Sequence, residues 1–179
     1  MEIEKIENGL LGKNNSVFIA FYSDPEEHYK RHPICEEWGQ KAWSKKVALI
    51  GVMIRYNSVF GFVGGKVDPG ETLIDAAHRE CVEEVNYNVD KSSLSLFCSH
   101  KVESTNKTQN IHLYKCKISP NELYKIRKLS CDAEYGEVEC AAFSVIHLNE
   151  DAQDILLNGH KWAGSGVQEM DLLLKSIKL

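Results

Sequence analysis

Apolar positions in this chain come as short runs and two-residue alternations, separated by stretches with a helical spacing. The longest run, Val47-Ala48-Leu49-Ile50-Gly51-Val52-Met53-Ile54, predicts a central strand buried on both faces. Ser16 to Tyr22, aromatic and β-branched between turn formers, predicts another strand, and Asp24-Pro25 is expected to break the chain after it. Asn57-Ser58 turns the central strand back into Phe60 to Val63. Farther on, Leu94, Leu96 and Cys98 alternate with polar residues, and a polar loop from 103 to 110 leads to a half-exposed strand. There Tyr114, Cys116 and Ile118 alternate with Lys115 and Lys117. Cys140 to Ile146 is the last predicted strand.

The helical spacing is clearest where Leu73, Ala77, Cys81 and Val85 recur every four residues, starting near Thr72. Ser119-Pro120-Asn121-Glu122 is a capping box with proline at the first helical position, so a helix is expected to about Leu129. Asn149 is expected to cap a helix through Leu157. Ser165-Gly166-Val167-Gln168 reads as a further capping box, opening a final helix with a core stripe of Val167, Met170, Leu174 and Ile177. Strands and helices interleave without a dominant βαβ repeat, which predicts an α/β fold: a mixed sheet with helices on both sides. The first fifteen residues read as a loose arm or a short edge element. From 26 to 44 no period is visible among His28, Tyr29, Lys30, Arg31, His32, Trp38 and Trp43. Those side chains suit a nucleobase and its phosphates, or else the tryptophans cover a core and the histidines lie at the surface.

Composition narrows the picture. A chain of 179 residues, 43% hydrophobic, supports one buried core, so a single domain over 1–179 is expected. The net charge of -5 argues against a broad nonspecific nucleic-acid surface but leaves local binding of an RNA end open. The six cysteines form no CxxC pair and no zinc spacing, and read as reduced thiols. No charged-then-apolar leader is present and no apolar run nears the roughly 18 residues a membrane span needs. No membrane association and a cytoplasmic address are the expectations.

The candidate chemistry lies between Gly61 and Tyr87. Glu80, Glu83 and Glu84 fall at i, i+3 and i+4, so three carboxylates share one wedge of a helix. Such crowding is unfavourable without a cation among them, and with oxygen ligands dominant the fitting ion is Mg2+ or Mn2+. Gly64-Gly65 lets the backbone approach closely, and the Gly65 carbonyl is a candidate further ligand. The alternative is a solvated acidic helix face. On either reading the wedge is taken as surface, so Glu84→Gln is expected to leave the fold intact.

Gly65, Glu71, Arg79, Glu80, Glu83 and Glu84 resemble the spaced positions of the Nudix box, G-x5-E-x7-R-E-U-x-E-E-x-G-U. Asn86 stands where that pattern has glycine, and asparagine tolerates the left-handed turn needed there. Cys81 and Tyr87 replace aliphatic residues. Arg55-Tyr56, the Phe60 to Asp68 segment, Tyr135-Gly136 to Glu139 and Trp162-Ala163-Gly164-Ser165 are similar to the Nudix branch of small nucleolar RNA decapping enzymes, whose members also hydrolyse inosine diphosphates. That branch places a histidine against the nucleotide near Phe18 and Ile19. This chain has none there, which leaves base preference open.

The resemblance implies an α/β/α Nudix fold and Mg2+-dependent (or Mn2+-dependent) cleavage of a phosphoanhydride in a nucleoside diphosphate linked to a group X. It also implies a nucleotide or capped RNA end as substrate, and dimerisation. Gly65, Glu80, Glu83 and Glu84 would hold metal, while Arg79 and Glu71 orient those glutamates. Glu83 or Glu84, or else Glu139, would be the base. Arg55, Phe62, Gly64, Lys66 and Gln168 are the candidates for substrate contact, with Glu169 the alternative to Gln168. The competing functions are an ADP-ribose or dinucleoside polyphosphate pyrophosphatase, and a nucleotide-binding or RNA-binding regulator that keeps the fold without turnover.

Overall fold

The computed structural model describes residues 2–26, 47–105, 107–134 and 140–177. Eight strands form one mixed sheet: β1 (Glu2–Lys5), β2 (Asn15–Glu26), β3 (Val47–Arg55), β4 (Phe60–Gly61), β5 (Val63–Lys66), β6 (Ser95–Ser104), β7 (Lys107–Lys117) and β8 (Cys140–His147). The backbone order runs β1-β6-β7-β2-β3-β4, with β5 beside β2 and β8 beside β3. Among the described strands only β2 and β7 pair in parallel, in register from Asn15↔Asn110 to Tyr22↔Lys117. Among the described residues, four α-helices complete the fold: α1 (Leu73–Val85), α2 (Pro120–Leu129), α3 (Glu150–Asp154) and α4 (Gly166–Ser176).

Side-chain alternation sends each central strand into two cores. Val17, Ile19, Phe21, Leu49, Met53 and Val63 meet α1 and α2 through Ala77, Cys81, Leu123 and Ile126. Ala20, Ala48, Ile50, Val52, Phe62 and Leu113 meet α3, α4 and the intervening turn through Leu156, Trp162, Met170 and Leu173. Helices therefore cover both faces, the α/β/α sandwich expected from the sequence. No helix among the described residues is long and apolar enough to cross a membrane.

Several boundaries differ from the sequence expectation. Asp24-Pro25 does not end β2. The strand continues to Glu26 with its register shifting between Ser23 and Glu26, so proline's missing amide falls at an irregularity. Ser23 adds a side-chain bond there, its hydroxyl accepting from Leu49 N at 3.2 Å. The polar stretch from 103 to 110 is no loop: β6 and β7 pair through it to Ser104↔Lys107. The first residues, by contrast, agree with one of the two expectations, supplying the short edge strand β1, antiparallel to β6. Ser165 does not cap α4. Its hydroxyl donates to Glu169 Oε1 at 2.9 Å instead. After Asp154 the chain widens into a π-helical turn over Ile155–Gly159, whose Leu156 carbonyl accepts the Trp162 indole N–H at 2.6 Å. The aperiodic segment with His28, His32, Trp38 and Trp43 lies outside the described residues.

Candidate active site

Helix α1 is capped at both ends by its own sequence. Thr72 Oγ1 accepts from Asp75 N at 3.2 Å and donates to Asp75 Oδ2 at 2.5 Å. At the other end Asn86 adopts the left-handed conformation at φ 50 and ψ 35, and its N–H donates to Val82 O at 2.9 Å. Both caps fix where the helix starts and stops. They thereby fix which face carries Glu80, Glu83 and Glu84.

The glycine turn brings β5 against that face. Gly64 sits at φ +139, where a Cβ would lie 2.1 Å from Val17 O, so no side chain fits between β5 and β2. A Cβ on Gly65 would lie 2.7 Å from the Glu80 carboxylate oxygens. The Gly64 N–H donates to Glu84 Oε2 at 2.6 Å, within the core. Glu84 is 1% exposed, so the expectation that it belongs to a solvated surface is corrected. Its carboxylate enters the buried stripe because Ala77, Cys81 and Val85 on the same side draw that edge of α1 onto the sheet.

Arg79 joins the remaining carboxylates. Its Nε and NH2 donate to Glu71 Oε1 and Oε2, both at 3.1 Å, the bidentate fork a guanidinium suits. NH1 donates to Glu80 Oε1 at 2.9 Å and to Glu83 Oε2 at 2.8 Å. NH2 also reaches the Lys66 carbonyl at 2.9 Å. The bond from Arg79 holds the Glu71 carboxyl below its ordinary range, with Asp68 N–H adding a smaller push the same way. Three carboxylates raise the already high Arg79 value further, led by Glu71, so the cation persists at any working pH.

A cavity of about 340 Å3 opens between this cluster and the glycine turn. Gly65, Lys66, Arg79, Glu80, Glu83 and Glu84 line it, as sequence reasoning grouped them. Asp68 also lines it and was not singled out, although its place three residues past Gly65 was the available signal. Of the carboxylates Arg79 holds, Glu83 is the most exposed, at 27% against 12% for Glu80.

The other candidates stand elsewhere. Arg55 ends β3 with its Nε buried, 3.3 Å from where a Gly61 Cβ would be, and does not line this cavity. Phe62 is 3% exposed and packs with Trp162 at 5.2 Å in the core on the opposite face. Gln168 is exposed on α4, across the sheet from α1. Beside it, Glu169 is buried, with Oε1 3.4 Å from His100 Nδ1. Glu139 lies outside the described residues.

The donor set fits a hard divalent cation: carboxylates and a backbone carbonyl, with no thiolate or imidazole lining the cavity. Gly65 leaves room only for the Glu80 carboxylate at the place a side chain would fill. Among the described residues no group of three or more His, Cys, Asp or Glu side chains is placed to hold a metal ion. Arg79 instead holds two of the carboxylates, Glu80 and Glu83, to one nitrogen.

The fold and the site define a class: an α/β/α sandwich presenting helix carboxylates to a glycine turn. Residues 52–121 match the family model of the NUDIX domain. The chain is 39% identical over 92 residues to the U8 snoRNA-decapping enzyme of Homalodisca vitripennis, a match covering 50% of this chain and 49% of that protein. It thus spans about half the length of that relative. The fold is similar to that of the Bacillus subtilis pyrophosphohydrolase BsRppH, at TM-score 0.60 and 18% identity over 98% of this chain and 90% of that one. It is also similar to the NUDIX domain of Shewanella oneidensis NrtR complexed with ADP ribose, at TM-score 0.55 and 13% identity over 93% and 90%. The family-model match thus places a NUDIX domain at residues 52–121, across the helix and glycine turn that form the site.

Proposed function

We propose that this chain is a divalent-metal-dependent pyrophosphohydrolase acting on nucleoside diphosphate-X substrates, with a capped RNA 5′ end foremost. The observation that carries the reading is Arg79, which gathers Glu71, Glu80 and Glu83 at one wall of a cavity that Glu84 also lines. The choice of a capped RNA end rests on the relative named as a decapping enzyme.

In this reading Glu80, Glu83, Glu84 and the Gly65 carbonyl would hold Mg2+ or Mn2+, which would supply charge neutralisation for the diphosphate and a lowered pKa for a water. Arg79 and Glu71 are positioning residues: their bidentate pair fixes the guanidinium, which fixes Glu80 and Glu83. Gly64 N–H fixes Glu84. Glu83, the most exposed of the Arg79-bound carboxylates, is the base that takes the proton as water oxygen attacks phosphorus and the anhydride P–O bond breaks. Lys66 lines the same cavity and would face the departing phosphate. The buried free thiols Cys81, Cys98 and Cys116 support a reducing, cytoplasmic setting.

A second reading is an ADP-ribose-binding protein, catalytic or regulatory, supported by the similar domain complexed with ADP ribose. The test is hydrolysis of capped RNA, ADP-ribose and inosine diphosphate with Mg2+, the products identified by mass. Release of the cap from RNA as a nucleoside diphosphate supports the first reading. Turnover of ADP-ribose alone, or binding of it without turnover, favours the second.

A further inference from the structure

The chain between β1 and β2 crosses β6 and β7 as a strap, because β1 pairs outside β6 while β2 lies beyond β7. Hydrogen bonds tie it down along the way. Ile6 N donates to Ser99 O at 3.1 Å and Asn8 Nδ2 to Phe97 O at 3.3 Å, continuing the β1 edge. Gly9 then turns at φ +82, and its N–H donates to Ser99 Oγ at 3.1 Å. Asn110 Nδ2 donates to Leu10 O at 2.8 Å, and Asn15 closes the strap by a reciprocal pair of bonds with Gly12, at 2.8 and 2.9 Å. Asn15 O accepts Val67 N at 3.0 Å, so the strap ends against the segment that leads from β5 toward α1. Leu10 and Leu11 remain 50% and 63% exposed, which leaves polar contacts to hold the strap with little apolar burial.

Behind Ser99 stands a titratable group that the proposed chemistry does not use. His112 is fully buried, with Nδ1 2.9 Å from the same Ser99 Oγ that takes the Gly9 N–H. With Gly9 donating to that oxygen, the Ser99 hydroxyl proton is directed to Nδ1, and the ring carries its one hydrogen on Nε2, which is buried without a partner. A second proton would turn Nδ1 from acceptor into donor. Ser99 would then lose the acceptor for its own hydroxyl, and a cation would be buried with no carboxylate bonded to it. The ionisable groups around the ring are Tyr114 on β7, Lys101 with Glu103 on β6, Glu4 on β1, and Glu7 and Lys13 on the strap; β2 contributes Val17, and Glu84 of α1 lies beyond it on the Gly64 amide. None of these is bonded to the imidazole, and burial alone lowers its pKa from the ordinary 6.5.

We propose that residues 6–14 form an acid-released strap with His112 as its sensor: proton uptake by the ring breaks the Gly9–Ser99–His112 chain and lifts the strap from β6 and β7 while both cores stay packed. It needs neither substrate nor metal. Closed, the strap keeps the ring neutral; lifted, it lets water reach the ring, which then takes a proton at its ordinary value. The closed form is therefore fully favoured above pH 6.5 and loses ground as pH falls through 6.5 toward the lowered folded value. One proton per opening sets a rise in the opening constant of at most about tenfold per pH unit.

The test is NMR of the isotope-labelled chain between about pH 8 and pH 5, in wild type, His112→Asn and Ser99→Ala. The His112 ring signals report protonation directly. Exchange of the Gly9, Leu10 and Gly12 amides, corrected for its intrinsic pH dependence, reports strap opening, and the β3 amides report the core. In wild type the strap amides should lose protection by up to about tenfold per pH unit, in step with the ring and with a midpoint below 6.5, while β3 stays protected. His112→Asn should remove that pH response. Ser99→Ala, which keeps the ring and deletes the link, should show Gly9 protection weaker by roughly tenfold already at high pH and no further opening with acid, and it decides the matter where His112→Asn does not fold. A ring that titrates under a strap that stays protected overturns the proposal, as does the wild-type pH response persisting in either variant. Loss of β3 protection together with the strap overturns it too, because acid then unfolds the chain as a whole.

Discussion

Glu83 and Glu84 are neighbours in sequence with opposite environments, and their substitutions should separate chemistry from folding. Glu83 is partly exposed and, among the described residues, is held by Arg79 alone, so Glu83→Gln should lower hydrolysis by on the order of 10²-fold or more with an unchanged urea midpoint. Glu84 accepts the Gly64 N–H within the core. Glu84→Ala leaves that donor buried without its acceptor and should cost about 1–3 kcal/mol in urea unfolding, whereas Glu84→Gln keeps an acceptor and much of the stability. A second residue test concerns His112, fully buried with Nδ1 2.9 Å from Ser99 Oγ. Burial lowers its pKa below the ordinary 6.5, so the folded state resists protonation that the unfolded chain accepts. Stability is unaffected by this group above pH 6.5 and is lost as pH falls through 6.5 toward the folded value. Urea unfolding at pH 8 and pH 5.5 should show that loss, and His112→Asn should reduce it.

Helix α1 was the most legible element, because spacings along a helix are fixed by its own geometry. The i, i+3 and i+4 placement of Glu80, Glu83 and Glu84, the Thr72 start and the left-handed Asn86 end all follow from local sequence. Asn86→Gly should therefore be tolerated, while Asn86→Val should cost about 1–3 kcal/mol by thermal or urea unfolding, since a β-branched residue disfavours φ 50. The burial of Glu84 was not legible. It depends on β5 lying against β2 at Gly64 and Val17, a contact between segments far apart in the chain. The capping box at Ser165 misled for a similar reason, because buried Glu169 captured the hydroxyl that the backbone would otherwise use. Pro25 was misread as a break because a strand irregularity can absorb its missing donor.

At the scale of the whole molecule, the alternation of apolar runs and helical spacings was sufficient for a mixed sheet covered on both faces. It could not disclose what strand pairing assembles. Gly9, Ser99 and His112 are unremarkable in sequence and meet only because β1, β6, β7 and β2 lie side by side.

The most direct measurement is hydrolysis of a capped RNA by the purified chain, wild type against Glu83→Gln, with Mg2+ and then with excess chelator, products identified by mass. The account predicts Mg2+-dependent release of the cap as a nucleoside diphosphate by wild type, abolished by chelator and reduced at least about 10²-fold in the variant. Equal turnover by the two proteins, or turnover that survives chelation, would contradict it.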